Sequence, residues 1–324
     1  MTIRTVIHGI GSYLPDKIVT NQDLTSRVET SDEWIRERTG IEQRHFATEG
    51  QKTSDLAIAA STEALERAGI KSQDLDLIIV ATTTPDYTLP ATAAKVQAQL
   101  GSPVIPVFDI QAACSGFIYG LSIADSFIKC GQANKVLVVG AETLSRIIDW
   151  EDRSTCVLFG DGAGAVVVGK EKGNGSINDR GIHSTHLHAD GNLQDLLYSD
   201  GGPSSNQTTG FIRMSGQEVF RHAVKNLSET VDEAIKHNNI SVDDIDWMVP
   251  HQANKRILDS TLKRLGFSSD KVIVTVNNHA NTSAASIPLA LAHGVDKGLI
   301  KEGHLIVMEA MGAGLTWGSA LIRY

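Results

Sequence analysis

The hydrophobic and polar positions divide the chain into short apolar runs and longer stretches with helical spacing. The runs VIPVFDI (104–110), WMVP (247–250) and VIVTV (272–276) have the length and β-branched content of buried strands. The segment FIYGLSIADSFIK (117–129) has the apolar spacing of a helix, and another helical pattern begins near Asn254. This pattern predicts an α/β protein in which strands lead through small-residue turns into helices.

Similar patterns recur in the two halves of the chain. The matched positions, each about 170 residues apart, are Asp76 with Asp246, Cys114 with Asn281, and Val138 with Val307. Such a repeat predicts two similarly folded halves, 1–175 and 176–324, with mainly parallel sheets covered by helices. The first half carries Cys114 and the second carries Asn281, and the two residues are expected to meet where the halves meet.

Cys114 lies in the small-residue sequence AACSGF (112–117), at the predicted start of a helix. A helix N-terminus favours thiolate over thiol, and small neighbours leave room for a substrate carbonyl beside the Cys114 N–H. These are the properties of a nucleophile. A cysteine is just as often a small buried packing residue, so this segment alone leaves both interpretations open.

Two further polar residues occupy comparable places. His251 follows the strand pattern that ends at Pro250, and Asn281 follows the strand predicted at 272–276. Catalytic groups of α/β folds collect at the carboxyl ends of strands. A single His or Asn at such a position is more often structural than catalytic. Three matching positions favour a site that combines Cys, His and Asn.

The ordered motifs of the chain resemble those of 3-oxoacyl-(acyl carrier protein) synthase III, a condensing-enzyme family of the thiolase superfamily. These motifs are AACSGF, GDGAGAVVV (160–168), HLHADG (186–191), VPHQAN, HANTSAAS and MGAGLTWGSALIRY. The resemblance implies a five-layer αβαβα sandwich of two pseudo-symmetric halves, usually a homodimer. It also implies a catalytic triad of Cys114, His251 and Asn281.

The resemblance further implies the reaction. A short acyl-CoA primer such as acetyl-CoA condenses with malonyl-acyl carrier protein, giving 3-oxoacyl-acyl carrier protein, coenzyme A and carbon dioxide. This acyltransferase step starts type II fatty acid synthesis. Acyl-CoA and the acyl carrier protein are the expected partners, and neither a metal nor a cofactor is expected.

Other site residues are implied by the same resemblance. The oxyanion hole is expected from the N–H groups of Cys114 and Ala313. Contacts to coenzyme A are expected from Thr30, Trp34, Arg38, Arg153 and Asn254. The acyl pocket is expected to contain Leu89, Leu158, Phe159, Leu197, Phe220 and Met311.

Two features of the chain qualify these expectations. Leu89 matches a residue that in relatives closes the partner's acyl pocket and is commonly Phe, so the smaller Leu predicts that primers of four to six carbons are also accepted. Ala280 and Ala313 stand where the family usually has glycine. A positive φ at residue 313 would strain that alanine.

The formal net charge of −9 argues against general nucleic-acid binding. A basic cluster nevertheless adjoins His251 in sequence. Its docking residues are predicted to be Arg221, Arg256, Lys263 and Arg264. Alone, this pattern is more typical of a solvated helix face, but next to the predicted site it favours docking of an acidic carrier protein.

The remaining features concern compartment and metals. No segment approaches the roughly 20 apolar residues of a membrane span, and the N-terminus lacks the features of a signal peptide. Three cysteines without paired spacing disfavour a disulfide framework, so a cytoplasmic protein is expected. GDGAGA lacks the Lys-Ser/Thr of a P-loop and is expected to be a turn. His186 and His188 are expected to pack in a polar turn.

Several alternatives remain. A degradative thiolase would need a second catalytic cysteine, and neither Cys130 nor Cys156 lies in a suitable motif. Plant-type polyketide synthases resemble the chain less in the HQAN and TWG segments. A secondary-metabolite ketosynthase of the synthase III group stays open. So does a non-catalytic scaffold that binds acyl carrier protein, although the complete triad argues against it.

Overall fold

The computed structural model describes residues 1–324. The strands are β1 (Thr2–Tyr13), β2 (Lys17–Thr20), β3 (Gln43–Phe46), β4 (Leu77–Ala81), β5 (Val107–Ile110), β6 (Lys135–Thr143), β7 (Asp161–Gly173), β8 (Gly181–Ala189), β9 (Leu197–Ser199), β10 (Ile212–Met214), β11 (Trp247–Pro250), β12 (Leu305–Gly312) and β13 (Thr316–Arg323). The helices are α1 (Asn21–Leu24), α2 (Asp32–Thr39), α3 (Thr53–Ala68), α4 (Thr92–Leu100), α5 (Gly116–Lys129), α6 (Arg153–Cys156), α7 (Gly216–His237), α8 (Lys255–Leu265), α9 (Val276–His279) and α10 (Ser286–Asp296). None of these helices is both long and apolar enough to cross a lipid bilayer.

Two sheets with matching strand order form the frame. One has the order β1-β7-β6-β4-β5, and the other, taken in the corresponding direction, has the order β8-β13-β12-β11. Beyond β11, Val272 makes a single parallel bridge to Met248, at the place that β5 occupies in the first sheet. The predicted construction from two pseudo-symmetric halves is therefore confirmed.

The sequence repeat corresponds to repeated hydrogen bonds. Asp76 N donates to Lys135 O over 2.9 Å, and Lys135 N donates to Asp76 Oδ2 over 3.0 Å. In the second half, Asp246 N donates to Leu305 O over 2.9 Å, and Leu305 N donates to Asp246 Oδ2 over 2.7 Å. Each aspartate thus fixes the start of a central strand. The boundary predicted at residue 175 falls between β7 and β8 and stays a prediction.

The apolar residues arrange the elements in five layers. One cluster joins α3 and α4 to the outer face of the first sheet, through residues such as Ile78 and Val80. A larger cluster places α5 and α10 between the two sheets, against Ile79 of the first sheet and Met308 of the second. A third cluster joins α7 and α8 to the outer face of the second sheet. Because strand side chains alternate between faces, each sheet is covered on both sides.

The prediction of mainly parallel sheets is wrong. In the first sheet β4 pairs in parallel with β5 and β6, but β7 is antiparallel to both β1 and β6. In the second sheet only β11 and β12 are parallel. The reason is clearest between β12 and β13, because the connection 313–315 is far too short for the crossover that parallel strands need.

The strand predicted at 272–276 is also wrong. Only the bridge at Val272 forms, and α9 begins at Val276. The cause is the buried side chain of Gln252, whose Oε1 accepts hydrogen bonds from Thr275 N over 2.8 Å and Val276 N over 3.0 Å. A side chain, instead of a neighbouring strand, therefore satisfies this backbone.

Two predicted turns are strands instead. All of GDGAGA after Gly160 lies in β7, where glycine lets α10 approach: a Cβ at Gly164 would lie 2.7 Å from the Pro288 Cβ. His186 and His188 lie in β8, where both contact Glu233 of α7, at 3.3 Å through His186 Nδ1 and 2.6 Å through His188 Nε2. Both sequences serve the packing between a strand and a helix.

Of the two alanines that stand where the family usually has glycine, Ala280 has a positive φ and Ala313 does not. Ala280 has φ 58° and ψ −161°, whereas Ala313 is not among the residues with positive φ. The Ala280 conformation is essentially restricted to glycine and costs other residues roughly 1–3 kcal/mol. The turn between α9 and Asn281 therefore keeps a conformation that suits the family's usual glycine.

Ala280→Gly is expected to stabilise the protein. Relief of strain should outweigh the greater freedom of glycine in the unfolded chain and raise the free energy of unfolding by about 1 kcal/mol. The midpoint of thermal unfolding measures this change. Ala292→Gly, within α10, is the control and should lower the midpoint. A decrease for Ala280→Gly as large as that of the control would contradict the prediction.

Candidate active site

Cys114 lies in a single 3-10 turn, Ala113–Ser115, directly before α5. The predicted position at a helix start is therefore confirmed. The residue is 7% exposed. The end of β12 comes very close, since a Cβ at Gly312 would lie 2.5 Å from Cys114 N. Glycine at 312 thus brings the backbone of the β12–β13 connection, including Ala313, beside the cysteine.

His251 is the first residue after β11, as predicted. Its N donates to Glu309 O over 2.8 Å, which fixes the backbone against β12. Its Nδ1 lies 2.6 Å from Ser286 Oγ at the start of α10. These contacts hold one side of the ring and leave Nε2 for the cavity described below.

Asn281 follows α9 and the strained Ala280. Its N donates to Leu158 O over 2.9 Å, and its Oδ1 accepts a hydrogen bond from Ser283 N over 2.9 Å. Because a backbone N–H occupies the amide oxygen, the amide nitrogen Nδ2 is the end available to another molecule.

Cys114, His251 and Asn281 line one cavity of about 490 Å³. Cys114 comes from the first half of the chain, and the other two residues come from the second. The structure thus brings together the three residues that the sequence selected, although they are widely separated along the chain.

Burial determines the protonation of this site. It raises the pKa of the Cys114 thiol to about 12; a hydrogen bond with Ser283 opposes the shift and the negative charge of Glu142 adds to it. Burial also lowers the pKa of His251 to about 3. Burial therefore opposes the thiolate that the helix terminus was expected to favour. The site holds a thiol and a neutral imidazole.

Several of the residues predicted to contact coenzyme A form the far end of this cavity. Trp34, Arg38 and Asn254 line it, and the Arg153 Cζ atom lies 4.7 Å from the Trp34 ring centroid. Thr30 does not line it, and its buried Oγ1 has no hydrogen-bond partner. A half-buried aromatic ring near the guanidinium groups of Arg38 and Arg153 suits a planar anionic ligand.

Five of the six residues predicted for the acyl pocket line the same cavity: Leu158, Phe159, Leu197, Phe220 and Met311. Phe159, Leu197 and Cys114 also line a second, more open cavity of about 910 Å³ that contains Ala313. Sequence analysis did not anticipate this second approach to the cysteine. Leu89 lines neither cavity and is 80% exposed.

The predicted docking residues differ in their surroundings. Arg221 pairs with Glu218, and Arg264 Nη2 lies 3.4 Å from Glu229 Oε1. Arg256 lines the first cavity. Lys263 is exposed and forms no ion pair. Within this cluster, acidic neighbours partly neutralise Arg221 and Arg264, whereas Lys263 is available to bind an acidic partner.

Sequence reasoning missed the serines behind the triad. Ser286 contacts His251, and Ser283 contacts Asn281. It also missed Glu142, a fully buried carboxyl group that accepts hydrogen bonds from the hydroxyl groups of Thr83 and Thr84 over 2.9 and 2.7 Å. Both serines are in HANTSAAS, where only the small size of these residues was noticed. Ser283 meets Asn281 through its backbone N–H and Ser286 meets His251 through its hydroxyl, and neither contact has a local signal in the sequence.

Comparisons with known proteins agree with this geometry. Two family profiles match, described as 3-oxoacyl-(acyl carrier protein) synthase III, over residues 108–191, and its C-terminal part, over residues 235–324. The beta-ketoacyl-(acyl carrier protein) synthase III of Paramagnetospirillum magneticum is 61% identical over 323 residues, covering 100% of both chains.

Solved structures are similarly close. The 3-oxoacyl-(acyl carrier protein) synthase III of Aquifex aeolicus VF5 is 48% identical with a TM-score of 0.93, covering 99% of this chain and 100% of the other. The priming beta-ketosynthase of the R1128 polyketide pathway is 34% identical with a TM-score of 0.92, covering 100% and 97%. By identity over its full length, the chain belongs to the beta-ketoacyl-(acyl carrier protein) synthase III family of thiolase-fold acyltransferases.

Proposed function

We propose that this chain condenses a short acyl-CoA with malonyl-acyl carrier protein and so initiates type II fatty acid synthesis. The convergence of Cys114, His251 and Asn281 on one cavity carries the proposal. Identity of 61% to a synthase of this kind, against 34% to the polyketide enzyme, favours fatty acid synthesis over secondary metabolism. The Cys114 thiol shares this cavity with two hydrogen-bond donors, the His251 imidazole and the Asn281 amide. This combination argues against a non-catalytic scaffold.

The first half-reaction transfers the acyl group to the enzyme. Cys114 Sγ attacks the thioester carbon, the new S–C bond forms, and the bond to the coenzyme A sulfur breaks. The thiol proton leaves with coenzyme A, so acyl-enzyme and free thiol are the products. The N–H groups of Cys114 and Ala313 hold the negative oxygen of the tetrahedral intermediate. Trp34, flanked by arginines, receives the nucleotide end.

The second half-reaction uses malonyl-acyl carrier protein. His251 Nε2–H and the Asn281 amide donate hydrogen bonds to the malonyl thioester oxygen, which stabilises the enolate formed as carbon dioxide leaves. The enolate carbon then attacks the acyl-cysteine. The S–C bond breaks, and Cys114 takes one proton from solvent. Substrates and side chains supply all the groups in this scheme, so the proposal includes no cofactor.

The malonyl half-reaction is expected to depend on His251 and Asn281 more than acylation does. Loss of one oxyanion donor typically costs 10²–10³ in rate, so His251→Ala and Asn281→Ala should each slow malonyl decarboxylation by about a hundred-fold. Acylation should fall much less, because its oxyanion donors are backbone N–H groups. Release of carbon dioxide and acyl-enzyme mass spectrometry measure the two steps. Equal loss of both would contradict this division.

We propose further that the enzyme is a homodimer. All four residues of β5, the edge strand of the first sheet, are half-buried, and the neighbouring Val104 is fully exposed. An exposed apolar edge strand is a template for pairing with another chain. Leu89 then extends from one copy towards the primer pocket of the other. A leucine at this position leaves room for primers longer than acetyl.

The proposed compartment is the cytoplasm, where the free cysteines stay reduced.

The basic cluster is proposed to bind the acyl carrier protein. Lys263→Glu should raise the KM for malonyl-acyl carrier protein several-fold at low salt and less at high salt. Acylation by free acyl-CoA should not change. Lys301→Glu, in an exposed loop, is the charge-matched control. An equal effect of both variants would contradict docking at this cluster.

A further inference from the structure

His251 of the triad contacts Ser286, which is not a member of the triad, and this contact is fully buried. His251 Nδ1 and Ser286 Oγ are 2.6 Å apart, and the two residues are 3% and 2% exposed. Ser286 Oγ also accepts a hydrogen bond from Gln252 N over 3.3 Å. Water does not reach this pair, so its hydrogen bonds must be satisfied within the protein.

The number of donors and acceptors fixes the direction of the contact. The backbone N–H of Gln252 can only donate, so it uses a lone pair of Ser286 Oγ. The hydroxyl proton of Ser286 then needs an acceptor, and His251 Nδ1 is the acceptor that it contacts. If Nδ1–H donated instead, Ser286 Oγ would receive two donors and its own proton would be buried without a partner.

We propose that Ser286 is a positioning residue that holds neutral His251 with its proton on Nε2. The ring then presents a hydrogen-bond donor to the cavity, and Nε2 has no lone pair for the Cys114 proton. Burial lowers the pKa of His251 and so keeps a single proton on the ring, and the hydroxyl of Ser286 decides which nitrogen carries it. This inference deepens the proposed function, on which it rests, because it assigns His251 to the malonyl half-reaction through its tautomer.

The tautomer can be read directly by ¹⁵N NMR of protein labelled at histidine, in which His251→Gln identifies the signals of this ring. We expect protonated Nε2 and unprotonated Nδ1 in the parent from pH 5 to 8. Ser286→Ala should increase the population protonated at Nδ1, and Ser286→Thr, which keeps the hydroxyl, should restore the parent pattern. A parent ring protonated at Nδ1 would overturn the proposal, even if the variants do not fold.

Kinetics give the second measurement. Ser286→Ala should slow malonyl decarboxylation at least ten-fold and acylation by acetyl-CoA less than three-fold, and Ser286→Thr should recover most of the loss. Ser61→Ala removes another buried hydroxyl, bonded to Ala57 O over 2.6 Å in α3, and should change neither rate. Equal loss of both half-reactions in Ser286→Ala would reject the positioning role. A parent with the expected tautomer but no decarboxylase activity would reject the proposed function alone.

Discussion

Cys114→Ala is expected to abolish acyl-enzyme formation. Incubation of the parent with a short acyl-CoA should add one acyl group per chain, and the variant should add none. Cys114 is the cysteine that lines the cavity shared with His251 and Asn281. Its replacement removes the attacking atom, so the loss should be complete and not merely a reduction in rate. Intact-mass spectrometry after brief incubation measures the added mass, and peptide mapping locates it.

The other cysteines provide matched controls. Cys130 is exposed and lies at the end of α5, whereas Cys156 is buried in α6 and lines neither cavity. Because Cys156 is buried away from both cavities, a substrate does not reach its thiol. Cys130→Ala and Cys156→Ala should therefore be acylated as the parent is. An acyl group found on Cys130 or Cys156 in the Cys114→Ala variant would show that the nucleophile has been misassigned.

Glu309→Gln is expected to change how stability depends on pH. Glu309 lies in β12 with 0% exposure, and neither carboxyl oxygen has a hydrogen-bond partner. Burial raises the pKa of this carboxyl group from 4.5 to about 8. The folded protein therefore keeps the proton over a pH range in which the unfolded chain has lost it.

The sign of the effect follows from this difference. Below pH 4.5 both states are protonated and the favourable contribution is complete; it is lost as the pH rises towards 8. At 1.36 kcal/mol per pKa unit, the free energy of unfolding should fall by on the order of 4 kcal/mol across this range. Glutamine has no proton to lose, so Glu309→Gln should remove this part of the decline.

Urea unfolding at several pH values from 5 to 9 tests this expectation. The parent and Glu309→Gln should converge near pH 5 and separate towards pH 8, where the variant should be the more stable. Glu302→Gln is the control, because Glu302 is largely exposed and pairs with Arg180 at the surface. It should reproduce the slope of the parent. Parallel curves for the parent and Glu309→Gln would contradict an ionisable buried Glu309.

The sequence predicted best those features that depend on local spacing. The helix after Cys114 and the strand before His251 are both confirmed, because apolar periodicity and small-residue turns are local signals. The repeat also indicated which distant residues meet. Cys114 and Asn281 occupy equivalent positions in two similar halves, so they were expected to come together where the halves pack. This is why three residues at predicted strand ends could be selected before any contact between them was known.

The features that were missed depend on contacts between distant segments. The burial that raises the pKa of the Cys114 thiol is one such feature, which no local pattern reports. The segment at 272–276 has the composition of a strand, yet Gln252 takes its backbone hydrogen bonds. Ser286 stood within a recognised motif, but a serine among alanines does not reveal that its hydroxyl contacts His251.

The hydrogen bonds that Gln252 Oε1 accepts from Thr275 N and Val276 N affect how many copies of the chain could assemble. Pseudo-symmetry gives the molecule two equivalent sheet edges, β5 and the segment beyond β11, and the glutamine blocks strand formation at the second. The other edge strands of the two sheets, β1 and β8, pack against each other. A Cβ at Gly181 in β8 would lie only 2.6 Å from Thr5 O in β1. In the proposed dimer, β5 of one copy would pair with β5 of the other around a two-fold axis. The proposed edge pairing would therefore end at two chains, because the hydrogen bonds to Gln252 leave no second strand at the equivalent edge.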